Sequence, residues 1–243
     1  MAAPLPNFLG LGTQKGGTTT LHRLLSQHPE VYLPPCKEVH FFDQNYGSGE
    51  TWYRSQFHNA QPHQQCGDIT PFYLFHPDVP KRIHNLLPTA RLIVLLRDPV
   101  ERAISQLFHA RKRGFEPLPP AQALAAEQQR LASGDPVSLQ KHSYVSRSRY
   151  LDQLDRYEAL FPSGQLLILR SEDLFDQPNQ VWTSLLEFLG VSAISLAAPL
   201  PRANAGDGLA ASLDQSIRDQ LRHQLADTAE GVKRRYGIEW AWT

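Results

Sequence analysis

The chain of 243 residues is 41% hydrophobic and 20% charged, and its 24 Lys and Arg balance its 24 Asp and Glu. This is the composition of a globular protein with a substantial core, which excludes wholesale disorder. Zero net charge argues against nucleic-acid binding through bulk charge.

Two cysteines are too few for a disulfide framework or a zinc site. The sequence also has no cluster of Asp with Ser or Thr of the kind that holds magnesium on a nucleotide, so we predict no metal site. No segment is long and apolar enough to span a bilayer, and the N-terminus has no signal-peptide pattern. We therefore predict a soluble cytoplasmic protein with a single domain over residues 1–243. A luminal domain cut from its anchor would have the same composition.

Short apolar runs alternate with helical patterns along the chain. The apolar runs predict strands at Phe8–Leu11, Val31–Leu33, Leu92–Leu96 and Leu166–Leu169. The helical patterns lie at about 18–28, 78–87, 100–113, 121–132, 144–160, 179–189 and 212–235. The run at 92–96 is apolar without interruption, which is typical of a central parallel strand buried on both faces. The alternation predicts an α/β fold, with a central parallel sheet flanked by helices.

Three stretches lack periodicity, namely Asn45–Cys66, Gly114–Pro120 and Ala197–Gly208. Open α/β sheets bind their ligands beyond the carboxyl ends of the strands, where such connecting segments lie. These stretches are therefore candidate walls of a substrate site.

A glycine-rich loop joins the first strand to the first helix. This order points backbone N–H groups and a helix dipole at one anion. Lys15 precedes Gly16 and Gly17, whereas a Walker A loop needs its lysine directly after the last glycine. The sixth position of a dinucleotide fingerprint beginning at Gly10 is Lys15, so that template fails as well. The loop is therefore P-loop-like, with its lysine placed early.

Arg97 follows the third predicted strand, and Asp98 with Pro99 marks a helix start. Ser105 and His109 are four residues apart in that helix and share one face. Arg97 and Ser105 can together bind one phosphate, or Arg97 can pair with a carboxylate while Ser105 is merely solvated. The sequence leaves these alternatives open.

A carboxylate and an imidazole follow the second predicted strand. Glu38 and His40 are two residues apart, so an extended chain would place both on one side. The alternative is a surface pair between Lys37 and Glu38, with His40 hydrogen-bonded nearby.

Four ordered motifs resemble the sulfotransferases that use 3′-phosphoadenosine 5′-phosphosulfate (PAPS), above all the heparan sulfate N- and O-sulfotransferase branch and its bacterial relatives. The motifs are Thr-Gln-Lys-Gly-Gly-Thr-Thr at 13–19, Lys-Glu-Val-His-Phe-Phe at 37–42, Gly-Asp-Ile-Thr-Pro-Phe-Tyr at 67–73 and Leu-Leu-Arg-Asp-Pro-Val-Glu-Arg-Ala-Ile-Ser at 95–105. The resemblance covers nearly the whole chain and implies the P-loop-like sulfotransferase fold.

The resemblance also implies a reaction, namely metal-independent in-line transfer of a sulfuryl group from PAPS to a hydroxyl or amine acceptor. It implies PAP (3′-phosphoadenosine 5′-phosphate) as the product and a sugar or polysaccharide as acceptor, although bacterial relatives modify other alcohols. No nucleic-acid partner and no membrane segment are implied.

Roles for single residues follow from the same resemblance. Glu38 matches the general base, Lys15 the lysine that stabilises the leaving oxygen, and His40 and His109 auxiliary histidines. The residues that match cofactor-binding positions are Gln14, Lys15, Gly16, Gly17, Thr18, Thr19, Arg97, Ser105 and Arg202.

Two positions depart from the branch pattern. Ile69 stands where branch members often have lysine, which removes one cation from the sulfate or acceptor side. The late cofactor-covering loop has a single candidate, around Arg202, without cysteines.

Two other functions compete with this interpretation. A P-loop kinase is disfavoured because Lys15 lies before the glycines and Arg97, rather than an acidic residue, follows the buried strand. A non-catalytic nucleotide-binding module is disfavoured because Lys15, Glu38, Arg97 and Ser105 are all present.

Overall fold

The computed structural model describes residues 3–196 and 213–243. Its strands are β1 (Phe8–Gly12), β2 (Val31–Tyr32), β3 (Gln65–Ile69), β4 (Arg91–Leu96) and β5 (Leu166–Arg170). Its α-helices are α1 (Thr18–Leu25), α2 (Gly49–Ser55), α3 (Val79–Leu86), α4 (Pro99–Lys112), α5 (Pro120–Ala132), α6 (Pro136–Lys141), α7 (Tyr150–Glu158), α8 (Asp173–Asp176), α9 (Pro178–Leu189) and α10 (Gln215–Tyr236). The described residues form two compact units, 3–96 with 153–196 and 97–152 with 213–243.

The first unit contains a parallel sheet with strand order β2-β3-β1-β4-β5. Side chains of α1 and α9 cover one face and form an apolar cluster with Phe8, Ile69, Ile93 and Leu95. Leu92, Val94 and Leu96 are also fully buried, which confirms the prediction that β4 is buried on both faces.

Strand β3 was not predicted from the sequence, although it lies beside β1 in the middle of the sheet. Its sequence, Gln-Cys-Gly-Asp-Ile, contains two residues of low β propensity. Gly67 is required there because a Cβ at this position would overlap the buried ring of Phe8. Close packing against Phe8 therefore requires a residue that lowers the β propensity of this segment, and the sequence pattern did not reveal the strand.

The second unit is built on α4, whose residues Val100 and Ile104 pack with Leu221 and Leu225 of α10. Arg102 of α4 is fully buried, and its guanidinium donates to Ser148 Oγ at 2.6 Å, to Gln106 Oε1 at 2.6 Å and to the carbonyl oxygen of Tyr144. These bonds attach α4 to the segment before α7.

The predicted helix at 144–160 begins only at Tyr150. The N–H groups of Val145 and Ser146 donate to the buried carboxylate of Glu127, at 2.7 and 2.8 Å. A buried side chain thus binds backbone donors at the predicted helix start, and local periodicity carries no sign of such a contact.

Replacing Gly67 by alanine tests the close packing of β3 on β1. Because the new methyl group overlaps the Phe8 ring, we expect a loss of about 1–3 kcal/mol in the free energy of unfolding, measured by urea denaturation. Gly164→Ala is the control, since no atom lies within 4 Å of its Cβ position. Equal stability of the two variants would show that Phe8 does not pack against Gly67.

Candidate functional site

The loop between β1 and α1 follows a strand whose five residues are all buried. The Thr13 N–H donates to Leu95 O at 2.8 Å, and the Gly16 N–H donates to Thr13 O at 2.9 Å. A Cβ at Gly16 would lie 2.9 Å from Leu95 O, so a larger residue does not fit. Lys15, with φ of 68°, and Gly17, with φ of 88°, both adopt the left-handed conformation.

This loop has the features of an anion site. Thr13 Oγ1 is buried and has no hydrogen-bond partner among the described residues. Helix α1 begins after Gly17, without a side-chain cap and without an acidic residue in its first turn. The uncapped N-terminus of α1, with its helix dipole, and the buried Thr13 hydroxyl fit a phosphate-like anion. The predicted cofactor-binding residues Gln14, Lys15, Gly16, Gly17, Thr18 and Thr19 all lie on this loop or in the first turn of α1.

Glu38 and His40 lie together, but not for the predicted reason. The segment is not extended, since Glu38 has φ of 67° and His40 has φ of 55°. This tight turn brings Glu38 Oε2 to 3.5 Å from His40 Nε2. Left-handed non-glycine residues are strained and persist where the surrounding structure holds them, often at functional sites.

Asp43 is a third member of this group that sequence reasoning missed. Its side chain is fully buried, and its Oδ2 lies 2.7 Å from His40 Nδ1. The available signal was an acidic residue three positions after His40, directly after the motif at 37–42. Both nitrogens of His40 therefore face carboxylates.

The charges of the group follow from these contacts. Burial opposes the charged form of His40, but its hydrogen bonds to Asp43 and Glu38 dominate and raise its pKa to about 9. Burial would also raise the pKa of Glu38, but His40 and Lys37 outweigh it and lower that pKa to about 2. His40 is thus a charged donor at neutral pH, and Glu38 is the ionised acceptor. The Lys37–Glu38 pair that the sequence left open as an alternative is present as well.

Arg97, Ser105 and His109 lie in the second unit. The carbonyl oxygen of Arg97 accepts a hydrogen bond from Tyr150 Oη at 2.8 Å. Asp98 caps α4, as predicted, by accepting from Val100 N at 2.8 Å and Glu101 N at 3.1 Å. Ser105 and His109 lie one turn apart in α4 and are both half-buried.

Of the two positions that depart from the branch pattern, the structure describes Ile69 but not the loop around Arg202. Ile69 is only 2% exposed and packs in the apolar cluster, so its side chain belongs to the core. The polar residues beside it, Asp68 and Thr70, are hydrogen-bonded to each other at 2.8 Å. Arg202 and the stretch Ala197–Gly208 lie outside the described residues.

A family model for the sulfotransferase domain matches residues 5–200. The chain belongs to the sulfotransferase family. The predictions of this family, of its α/β fold and of a sulfotransferase enzyme are therefore confirmed at the level of the family.

Known sulfotransferases resemble the chain over most of its length. The membrane-associated sulfotransferase kil1 of Dictyostelium discoideum is 27% identical over 98% of this chain and 66% of its own length. Heparan sulfate glucosamine 3-O-sulfotransferase 5 of Homo sapiens is 31% identical over 72% of this chain and 50% of its own length. The chain thus spans about one half to two thirds of these curated relatives.

Solved structures share the fold. A sulfotransferase from Alicyclobacillus acidocaldarius has a TM-score of 0.82 and 27% identity, with 99% of both chains covered. Mouse sulfotransferase SULT7A1, crystallised with PAP, has a TM-score of 0.60 and 13% identity, with 98% of this chain and 87% of its own covered. Among the described residues of this sulfotransferase, no helix is both long and apolar enough to cross a membrane.

The raised pKa of His40 predicts a pH-dependent stability. Because the folded pKa of about 9 exceeds the ordinary 6.5, the stabilisation is complete below pH 6.5 and is lost as the pH rises to 9. We expect the free energy of unfolding to fall by about 1–3 kcal/mol across this window. Asp43→Asn should flatten this dependence and lower the His40 pKa measured by NMR.

Glu50→Gln, which alters an exposed ion pair with Arg54, should leave both measurements unchanged. A His40 imidazole that titrates near 6.5 in the wild-type protein would contradict the charge assignment.

Proposed function

We propose that the chain transfers a sulfuryl group from PAPS to a hydroxyl or amine acceptor and releases PAP. The observation that carries this proposal is the Glu38 carboxylate 3.5 Å from the His40 imidazole, whose other nitrogen contacts Asp43. Strands β1 and β2 precede the glycine loop and the Glu38 turn, and parallel strands end at one edge of their sheet. An anion loop and a base are the two parts that sulfuryl transfer needs.

The glycine loop binds the phosphosulfate end of PAPS in this proposal. PAPS would supply the sulfuryl group, and negative charge would develop on the oxygen that bridges sulfur and phosphorus as the bond between sulfur and this oxygen breaks. Lys15 and the N–H groups of Gly17, Thr18 and Thr19 donate hydrogen bonds to these oxygens. Donors that are fixed before the reaction lower the barrier most when they meet charge that develops in the transition state.

Glu38 removes the acceptor proton. Of Glu38 and His40, Glu38 is the one that can accept a proton, because His40 lies between Glu38 and Asp43, is protonated and has both nitrogens engaged. The imidazolium orients the Glu38 carboxylate, and Lys37 forms a second ion pair with it. His40 is therefore a donor that positions Glu38, and we do not assign it the role of base.

The remaining predicted residues belong to the cofactor and acceptor sides. We propose that Arg97 and Ser105 bind the 3′-phosphate, that Arg202 covers it, and that His109 assists the acceptor. Asp98 supports this assignment because its carboxylate caps α4 and accepts from Trp242 Nε1 at 2.7 Å, which fixes the backbone beside Arg97.

The proposed acceptor class is a glycan, supported by the matches to heparan sulfate glucosamine 3-O-sulfotransferases. We further propose that residues 1–243 act as one sulfotransferase domain and that the protein is cytoplasmic. Mass spectrometry of candidate glycans and lipids after incubation with PAPS would identify the acceptor through the added sulfate.

Arg97→Ala tests the 3′-phosphate assignment. PAP and AMP differ only by that phosphate, and loss of a charge-assisted bond to it costs about 1.5–3 kcal/mol. We expect calorimetry to show PAP binding weakened by at least about tenfold and AMP binding nearly unchanged. Equal losses for both nucleotides would place Arg97 elsewhere.

Glu38→Gln tests the base. The amide keeps the shape but accepts no proton, so turnover should fall by about 10²–10⁴ while PAP binding persists. Glu50→Gln is the matched surface control. Activity that survives Glu38→Gln and disappears in His109→Ala would assign the base to His109.

Lys15→Ala tests the stabilisation of the leaving oxygen. An interaction that strengthens as charge develops lowers the barrier with little effect on substrate binding. Turnover should therefore fall by about 10²–10³, with KM for PAPS little changed. Lys81→Ala, at an exposed position of α3, is the control. Wild-type transfer should persist in excess EDTA, and activity that requires magnesium would favour the kinase alternative.

A further inference from the structure

Asp68 is a fully buried carboxylate at the end of β3 that the proposed reaction does not use. It accepts hydrogen bonds from Tyr73 Oη at 2.7 Å, Thr70 Oγ1 at 2.8 Å and Tyr53 Oη at 3.0 Å. It also accepts the backbone N–H of Val39. A carboxylate removed from water needs such a full set of donors.

Two of these hydroxyl groups also contact the turn that carries Glu38 and His40. Tyr73 Oη accepts the N–H of Phe41 at 2.8 Å and the N–H of Phe42 at 3.3 Å. Thr70 Oγ1 accepts the N–H of His40 at 3.4 Å. Each hydroxyl gives its single proton to Asp68, so its lone pairs are left for the backbone.

Asp68, Thr70 and Tyr73 thus satisfy the N–H groups of four consecutive residues, 39 to 42. The same stretch contains or borders the two left-handed residues, Glu38 and His40. Their conformation is strained, so it persists only where the surroundings over-determine it. The network around Asp68 provides that constraint. Burial raises the pKa of Tyr73, which keeps the phenol proton available to Asp68.

The segment after β3 also contacts the strand before the glycine loop. The Thr70 N–H donates to Gly10 O at 3.0 Å, and the Leu74 N–H donates to Leu11 O at 2.9 Å. Residues 70–74 are therefore bonded to β1 on one side and to the Glu38 turn on the other.

We propose that Asp68, acting through Tyr73 and Thr70, is a positioning residue that fixes the backbone of residues 39–42 and thereby the reactive geometry of Glu38 and His40. The proposal rests on the proposed function for its catalytic consequence. Its structural part, the geometry of His40 between Glu38 and Asp43, is measurable without activity.

Tyr73→Phe and Tyr53→Phe make a matched pair, because each keeps the aromatic ring and removes one buried hydroxyl group that donates to Asp68. Only Tyr73 also accepts backbone N–H groups of the turn. Misplacement of a reacting group by about 1 Å can cost about a hundredfold in rate, so Tyr73→Phe should lower kcat by about ten- to a hundredfold. Its KM for PAPS and its affinity for PAP should stay unchanged, and Tyr53→Phe should retain most of its kcat.

His40 gives a second readout by NMR. In Tyr73→Phe the imidazole should lose its fixed contacts with Glu38 and Asp43, and its pKa should move from about 9 toward 6.5. In Tyr53→Phe it should stay near 9. If Tyr73→Phe does not fold, Thr70→Val and Thr70→Ser replace the pair, since serine keeps the hydroxyl and valine does not.

The two readouts separate the possible failures. Equal kcat and equal His40 titration in the members of a matched pair would overturn the positioning role of Asp68. A differential His40 shift in a protein without sulfuryl transfer would uphold the constraint on the turn and refute the proposed function.

Discussion

The parallel pairing of β1 with β3 on one side and with β4 on the other fixes most of the first unit's functional geometry. Beyond the paired residues, the carbonyl groups of Gly10 and Leu11 accept N–H groups of the segment after β3, and the carbonyl of Leu95 accepts the Thr13 N–H. The glycine loop and the segment that supports the Glu38 turn therefore begin from one hydrogen-bonded sheet. A glycine at 67 is the condition for this pairing, because the Phe8 ring fills the space of its side chain.

Electrostatics assigns the roles within the Glu38 turn. His40 lies between two carboxylates, so it retains its proton, and Glu38 retains its charge because a cation lies on each side of it. The strain of two left-handed residues is compensated by buried hydrogen bonds that involve Asp68. In this account catalytic competence depends on a fully buried network of Asp68, Thr70 and Tyr73 as well as on Glu38 itself. Turnover therefore requires both the Glu38 carboxylate and the buried hydrogen bonds that hold its backbone in place.

Sequence patterns predicted the parts of the structure that are determined by residues close together in the sequence. The unbroken apolar run of β4, the helix start at Asp98 and the glycine loop each have a local signature. Strand β3 was missed because tertiary packing, rather than β propensity, specifies it. The left-handed turn was missed for a related reason: it depends on contacts with buried hydroxyl groups far away in sequence, whereas spacing alone predicted an extended segment. Asp43 was missed with it, because the turn brings its carboxylate to His40.

The pH dependence of kcat for the wild-type protein tests most directly whether an ionised Glu38, held by a charged His40, removes the acceptor proton. With folded pKa values of about 2 for Glu38 and about 9 for His40, both groups are in their active forms at neutral pH. The account predicts a kcat that is level between pH 6 and 8 and falls above about 9, as His40 loses its proton. A kcat that instead rises with pH up to 9 would mean that a neutral imidazole is the base, and it would contradict the account.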